Sequence, residues 1–294
     1  MINYLLLTLS VLLAVSKSSV YNVAAKRSDR SLFSTFGFNA ATYAVAASVA
    51  LVSLLALDGI SLSASTVLCA VFYAAVVFSL QTVSVTAMSL GAMSLTSIAV
   101  MYGMIIPSLS GPVFWGEPFG ALQTVGISLM LVSLWLLTEK GSLRKAAEGK
   151  RWLLLAAVAF LLSGMAGVAE KIHQSTDGKE ERIEFVLLAC LFMLALSLGA
   201  CFLTRSGRNR RASKKHSLIL LGLCSGLIVG IYSTVNLTLA GSLDSIIYYP
   251  VANGGAMLLT VAVSRVVFRE PISPRQLVGV AIGLSGIIAL SLPI

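Results

Sequence analysis

Charge is what this chain of 294 residues has least of: Asp, Glu, Lys and Arg together make 11% of it, where a soluble chain carries roughly a quarter. So few charges cannot cover a globular surface, which excludes a soluble domain. Acid is scarcer than base, with 12 residues against 21 and a net charge of +9. Eight carboxylates (Asp29, Asp58, Glu139, Glu148, Asp177, Glu180, Glu181 and Glu184) fall in expected connectors, Glu117 and Glu270 sit at helix junctions, and Glu170 and Asp244 stand at the edges of runs. A mid-membrane acid that could bind a proton or an organic cation is therefore missing, which disfavours a cationic substrate. The four cysteines, Cys69, Cys190, Cys201 and Cys224, lie singly inside apolar runs, which excludes a disulfide framework and a zinc site. Two histidines, His173 and His216, both read as connector residues and too few for a metal centre. No catalytic constellation or glycine-rich phosphate loop is present, so no catalytic residue, metal or cofactor is expected.

What is abundant is apolar: 57% of the residues are hydrophobic and the mean hydropathy is +0.92. Apolar runs fall near residues 2–25, 32–57, 64–86, 92–114, 121–138, 152–171, 183–203, 217–240, 243–268 and 275–293. A helix crossing about 30 Å of hydrocarbon needs roughly 20 such residues, and in lipid a spanning segment must satisfy its own backbone. The pattern predicts an all-α polytopic membrane protein of about ten helices. The first run lacks a basic leader region and contains Lys17, so it reads as a helix rather than a cleaved signal. Basic residues cluster between the runs, where they face anionic lipid rather than nucleic acid.

The basic connector 140–151 bisects the chain into 1–139 and 152–294, and the halves share a motif. Trp115-Gly-Glu-Pro-Phe-Gly-Ala-Leu-Gln-Thr-Val-Gly aligns without gaps, 153 residues on, with Phe268-Arg-Glu-Pro-Ile-Ser-Pro-Arg-Gln-Leu-Val-Gly. Glu117, Pro118, Gln123, Val125 and Gly126 match Glu270, Pro271, Gln276, Val278 and Gly279. Five runs per half is odd, so the second half inserts upside down: the sequence predicts an inverted repeat.

A helix ending in Gly-Glu-Pro or Arg-Glu-Pro, followed by Gln and a Gly-rich last helix, once per five-helix half, resembles the drug/metabolite transporter superfamily of the EamA type. Ser245-Ile-Ile-Tyr-Tyr-Pro-Val-Ala-Asn-Gly-Gly is similar to that family's penultimate helix. The resemblance implies ten helices, a central substrate pathway between the halves and alternating access by rocking. The superfamily also contains flippases of lipid-linked intermediates.

Glu117-Pro118 and Glu270-Pro271 read as structural turns and caps, because proline suits the first helical turn and a carboxylate suits the positive helix N-terminus. Gly222, Gly226 and Gly230 recur every fourth residue, a spacing that lets membrane helices approach closely. Gly279 and Gly283 read likewise and leave a homodimer contact and an intramolecular one both open. Lys17 lies nine residues before Lys26, hence about 13 Å inside the basic end of its helix. A lysine at helix centre costs about 3 kcal/mol on insertion scales. It is either a substrate contact or a snorkelling side chain. Tyr21, Tyr102, Asn236, Tyr248, Tyr249 and Asn253 are the other polar positions expected to bind substrate.

The expected function is secondary transport of a small polar metabolite, anionic or zwitterionic, in the cell (inner) membrane. A flippase and, more remotely, a membrane-embedded lipid-modifying enzyme are the alternatives. Connectors 1, 5, 7 and 9 hold 17 Lys and Arg against 3 on the opposite side, Lys171, Lys179 and Arg182. The positive-inside rule then puts both termini outside the cytoplasm, whereas the well-known members of the resembled family keep both inside.

Overall fold

The computed structural model describes residues 2–27, 32–56, 61–90, 93–137, 150–204, 215–266 and 273–291. Glu270, Pro271 and most of the two most basic connectors, 138–149 and 205–214, lie outside them. The described residues form eleven α-helices: α1 (Ile2–Arg27), α2 (Leu32–Leu55), α3 (Ala64–Leu90), α4 (Met93–Tyr102), α5 (Ile105–Trp115), α6 (Ala121–Leu137), α7 (Lys150–Gln174), α8 (Arg182–Leu203), α9 (Lys215–Ser242), α10 (Ser245–Val266) and α11 (Pro274–Ser291). Six stretches are long and apolar enough to cross a membrane: 2–21, 33–55, 64–87, 151–174, 182–203 and 218–242. Ala99–Trp115, Ala121–Ser133 and Pro274–Leu290 are apolar but shorter. The chain is a helical membrane protein.

Three expectations need correction. The run 92–114 is two helices, because Pro107 has no N–H to give the Gly103 carbonyl in the α pattern. Ile106 N–H donates to it instead at 3.1 Å, and Gly103 and Met104 N–H likewise reach back three residues, to Val100 and Met101. This tight turn brings Gly103 onto α7, where an added Cβ would stand 2.7 Å from Ser163 Cβ, and Ser163 Oγ donates to Val100 O at 2.8 Å. His173 and His216 are helical, in α7 and α9, and Glu184 is in the first turn of α8. The helices α7 (Lys150–Gln174) and α9 (Lys215–Ser242) extend beyond the runs 152–171 and 217–240, because polar residues at their ends continue the helical hydrogen bonding, whereas α10 starts at Ser245 rather than at 243.

The helices divide into two compact units, each drawing on segments from before and after the basic connector. One comprises 1–15, 80–171 and 242–294; the other comprises 16–79 and 172–241. In the first unit α6 packs antiparallel on α11. A Cβ added at Gly126 would stand 2.6 Å from Leu290 Cγ and 3.2 Å from Gly286 O, while seven residues on Ser133 Oγ donates to Gly279 O at 2.7 Å. Both helices begin with a glutamine reaching back to a backbone N–H: Gly120 donates to Gln123 Oε1 at 3.1 Å and Ser273 to Gln276 Oε1 at 2.9 Å. This is the backward half of a capping box, and Ser273 Oγ completes the forward half for α11 by accepting from Gln276 N. In the second unit α2 runs antiparallel to α8, with Cys201 Sγ against Phe33 O. Around them Tyr43, Ala46, Ala47, Ala50, Ala70, Ala74, Phe185, Ala189 and Met193 form a buried core. Gly222, Gly226 and Gly230 of α9 face α2 at Ala41, Thr42–Val45 and Val49 respectively.

Candidate functional site

Lys17, Tyr21 and Asn236 fall in the second unit, on the seam between α1 and α9. The Lys17 ammonium lies over the Tyr232 ring, 4.0 Å from its centroid. One turn on, Tyr21 packs its ring edge-on against Phe38 at 5.2 Å and lies beside Ser225. Ala24 then meets Phe38 and Leu218. Helical spacing puts Leu218, Leu221, Ser225, Tyr232 and Asn236 along one face of α9. The side chains of that face change along α1 from apolar, at its C-terminal end, to polar around Lys17. Asn236 is buried, and Thr42 Oγ1, on the α2 turn beside Gly226, is a buried hydroxyl with no partner among the described residues. Among those residues no carboxylate pairs with Lys17. A cation held by a ring face keeps its hydrogens available to an anion, because the quadrupole attracts charge without accepting directed hydrogen bonds. Tyr232 is the contact that sequence reasoning passed over: it was visible as a polar position in a span, but its pairing with Lys17 depends on the α1–α9 register.

Tyr102, Tyr248, Tyr249 and Asn253 fall in the first unit, around different chemistry. Tyr249 donates its hydroxyl to Gly167 O at 2.5 Å and Tyr102 donates to Leu131 O at 2.9 Å. Tyr248 is buried with its ring centroid 4.6 Å from that of Tyr249. Asn253 is exposed, and its Nδ2 donates to Tyr249 O within α10 at 2.9 Å. The two bonded tyrosine hydroxyls tie helices together through backbone carbonyls.

The same unit holds a buried ion pair. Gly116 ends α5 in the left-handed conformation, φ +65°, with its N–H on Gly111 O, and this reversal sends Glu117 back across Gly111. The Glu117 carboxylate accepts Ser245 N–H at 2.6 Å, Ser245 Oγ–H at 3.1 Å and the Lys171 ammonium at 2.5 Å. The side chains of Lys171 and Glu117 are 12% and 7% exposed. Glu117 is thus a cap, but for the N-terminus of α10 rather than for α6; Pro118 lies in the non-helical stretch before α6, which starts at Ala121, rather than in its first turn.

A second polar cluster gathers where α7, α8 and α3 meet in the second unit. His173, fully buried, stacks on Phe185 with centroids 4.3 Å apart. Its Nε2 is 3.2 Å from Thr66 Oγ1 and its Nδ1 is 3.0 Å from Gln174 Nε2, while Gln174 Oε1 accepts from Arg182 Nε at 3.0 Å. Glu181 Oε2 accepts from Ser63 N at 2.9 Å and Ser63 Oγ at 2.7 Å. Burial alone would push the Glu181 carboxyl up, but hydrogen bonds from Thr66, Ser63 and Ser61 hold it below the ordinary carboxylate range. None of this cluster stood out in the sequence, because its residues belong to three segments.

No family model and no curated protein matches the chain. It is similar to a crystal structure of a protein with a TM-score of 0.73 and 15% identity, over 96% of this chain and 98% of the other. That likeness extends over nearly the whole length of both chains and shows the fold alone.

Proposed function

We propose that this protein is a secondary transporter that moves a small anionic or zwitterionic metabolite by alternating access between two inverted five-helix repeats, 1–139 and 152–294. The observation that carries the reading is Lys17: an ammonium in a long apolar helix, lying over the Tyr232 ring at 4.0 Å, with no ion-pairing carboxylate among the described residues. Lys17 and Tyr232 would contact the negative group, and Tyr21 and Asn236 would bond the rest of the substrate. Tyr102, Tyr248, Tyr249 and Asn253 would act on the conformational change, through the helix contacts they make.

The α6–α11 packing supports the inverted repeat. At the 153-residue offset, Gly126 corresponds to Gly279 and Ser133 to Gly286, and the contacts pair 126 with 286 and 133 with 279. Residue i meeting j while the equivalent of j meets the equivalent of i is the signature of a two-fold axis. Equivalent glutamines capping equivalent helices favour the same reading.

The test is a thermal-shift series on purified protein with anionic, zwitterionic and cationic metabolites, since a ligand that binds the folded state stabilises it. Acids or zwitterions should stabilise the parent. Lys17→Met should fold equally well and lose affinity about tenfold or more, the scale of one charge-assisted contact, while Lys17→Arg retains part of it. Stabilisation by organic cations alone, or unchanged affinity in Lys17→Met, would sink the reading; binding of lipid-linked species only would favour a flippase.

By the positive-inside rule, the charge asymmetry between connectors favours both termini on the non-cytoplasmic side. A C-terminal reporter that is active only in the cytoplasm should stay silent, and an active fusion would reverse this orientation.

A further inference from the structure

We infer that His173 is a proton-binding site whose charge state Gln174 passes to Arg182. The inference goes beyond the transport reading and does not depend on it. The argument starts from Arg182, whose guanidinium can only donate. The Gln174 atom 3.0 Å from Arg182 Nε is therefore the amide oxygen, and the atom 3.0 Å from His173 Nδ1 is the amide nitrogen. That nitrogen also only donates, so Nδ1 carries a lone pair. The ring proton of the neutral imidazole then sits on Nε2 and is directed at Thr66 Oγ1, 3.2 Å away. Hydrogen bonds to one ring nitrogen thus fix the tautomer at the other.

A second proton has one place to go, Nδ1, where it meets the Gln174 NH2 head-on, donor against donor. The conflict is relieved when the amide turns over, so that Oε1 accepts from Nδ1–H. The NH2 then faces Arg182 Nε–H and the conflict moves there, releasing Arg182. The proton bound at Nδ1 comes from solvent, no covalent bond changes, and the bond from Gln174 Nε2 to Lys179 O at 3.4 Å is given up in the same turn. One imidazole charge is thereby converted into the loss of the bond that ties the start of α8 to the end of α7.

The surroundings single out this group. The charges acting on the imidazole are Glu181 and Arg182. From α3 it meets the hydroxyl of Thr66, itself 3.0 Å from Ser63 Oγ. From α8 come Arg182, the Phe185 ring and, in the same first turn, Glu184. From the turn between the helices come Glu181 and the Lys179 carbonyl, which accepts from Gln174 Nε2 at 3.4 Å. On its own helix the charges nearest in sequence are Glu170 and Lys171, the latter paired with Glu117. From α9 the neighbouring Gln174 is approached by backbone: a Cβ added at Gly241 would collide with Gln174 Oε1, so Gln174 can turn over in place but cannot swing away. The turn also carries Asp177, Lys179, Glu180 and Glu181, and of these Glu181 is the one bonded to Ser63. Its carboxyl is held low, so the stability it contributes is present above the ordinary carboxylate range and is lost only as pH falls below that range.

The experiment is hydrogen exchange of the full-length protein in lipid nanodiscs between about pH 8 and about pH 3.5, a range that extends well to both sides of the unperturbed imidazole value of about 6.5. The backbone amides of residues 175–181 are read after correction for the intrinsic pH dependence of exchange. In the parent, their opening should rise about tenfold or more across that range. His173→Gln, which cannot titrate, and Gln174→Met, which keeps the imidazole but cannot relay its charge, should both lose that step. A flat profile in the parent, or a parent-like step in either variant, overturns the proposal; a step kept in His173→Gln would assign it to a carboxylate of the turn, and one kept in Gln174→Met alone would mean that His173 titrates without the relay. The exchange is read without substrate, so a chain that transports nothing leaves the inference standing, and a proven transporter with a flat profile loses only the proton site.

Discussion

Glu117→Ala is expected to lower stability by about 3–5 kcal/mol, the range for removing one partner of a buried ion pair. The cost arises from what is left behind. Lys171, 12% exposed, loses its carboxylate, and Ser245 N–H, one of the unsatisfied donors at the start of α10, loses an acceptor at 2.6 Å. The carboxylate also occupies the volume over Gly111, where an added Cβ would collide with it, so truncation opens a void beside the Lys171 ammonium. Glu117→Gln should fall between parent and alanine, since its amide oxygen can still accept from Ser245 but cannot neutralise Lys171. The Glu117→Gln/Lys171→Met double variant should be more stable than Glu117→Gln alone, because it removes the buried ammonium that has lost this carboxylate. Thermal unfolding of the purified proteins in one detergent decides it. A Glu117→Ala variant that unfolds with the parent would mean the pair is solvated and contributes little.

Glu117 also shows where the sequence could and could not be read. Its place at a helix junction, its proline and its repetition 153 residues on were all legible, and so was a capping role. The identity of the capped helix was not, because α10 begins 128 residues later and only packing brings the two together. The matched glutamines have a local explanation that the motif contained: each reaches back three residues to its own helix start. Hydropathy located every helix, since a span must bury its backbone wherever it lies, but it was blind to the α4–α5 break. That break depends on the missing N–H of Pro107 and on Ser163 of α7 stepping in. The same asymmetry holds for the polar sites. Lys17 was conspicuous as a charge in an apolar run, whereas Tyr232 depends on the α1–α9 register. His173 looked like a connector residue because it is followed by Gln, Ser, Thr and Asp, yet the helix continues through it and Phe185 and Thr66 bury it.

A graded series of alanine substitutions on α9 and α2 should report how closely these two helices are held. At Gly226 the new Cβ would stand 2.5 Å from Thr42 O and 2.6 Å from Val45 Cβ. The first obstruction is backbone, which cannot rotate away as a side-chain tip can, so the helices must separate and lose contacts along their length. Gly226→Ala should cost about 1–3 kcal/mol, the usual range for overpacking, and Gly226→Leu should prevent accumulation of folded protein. Gly222→Ala, whose Cβ would lie 2.8 Å from Ala41 Cβ and 3.1 Å from Phe38 O, should cost less. Gly230→Ala should cost least of the three, because its nearest neighbour, Val49 Cβ, is 3.0 Å away and needs to give by only a few tenths of an ångström. Gly37 of α2 is the control: nothing lies within 4 Å of its added Cβ, so alanine there removes glycine's unfolded-state freedom and should stabilise by about 0.5–1 kcal/mol. Stability is read from unfolding midpoints in a common detergent. Equal effects at Gly226 and Gly37 would mean that α9 does not touch α2 through its glycine face, and the register that sets Tyr232 beside Lys17 would fall with it.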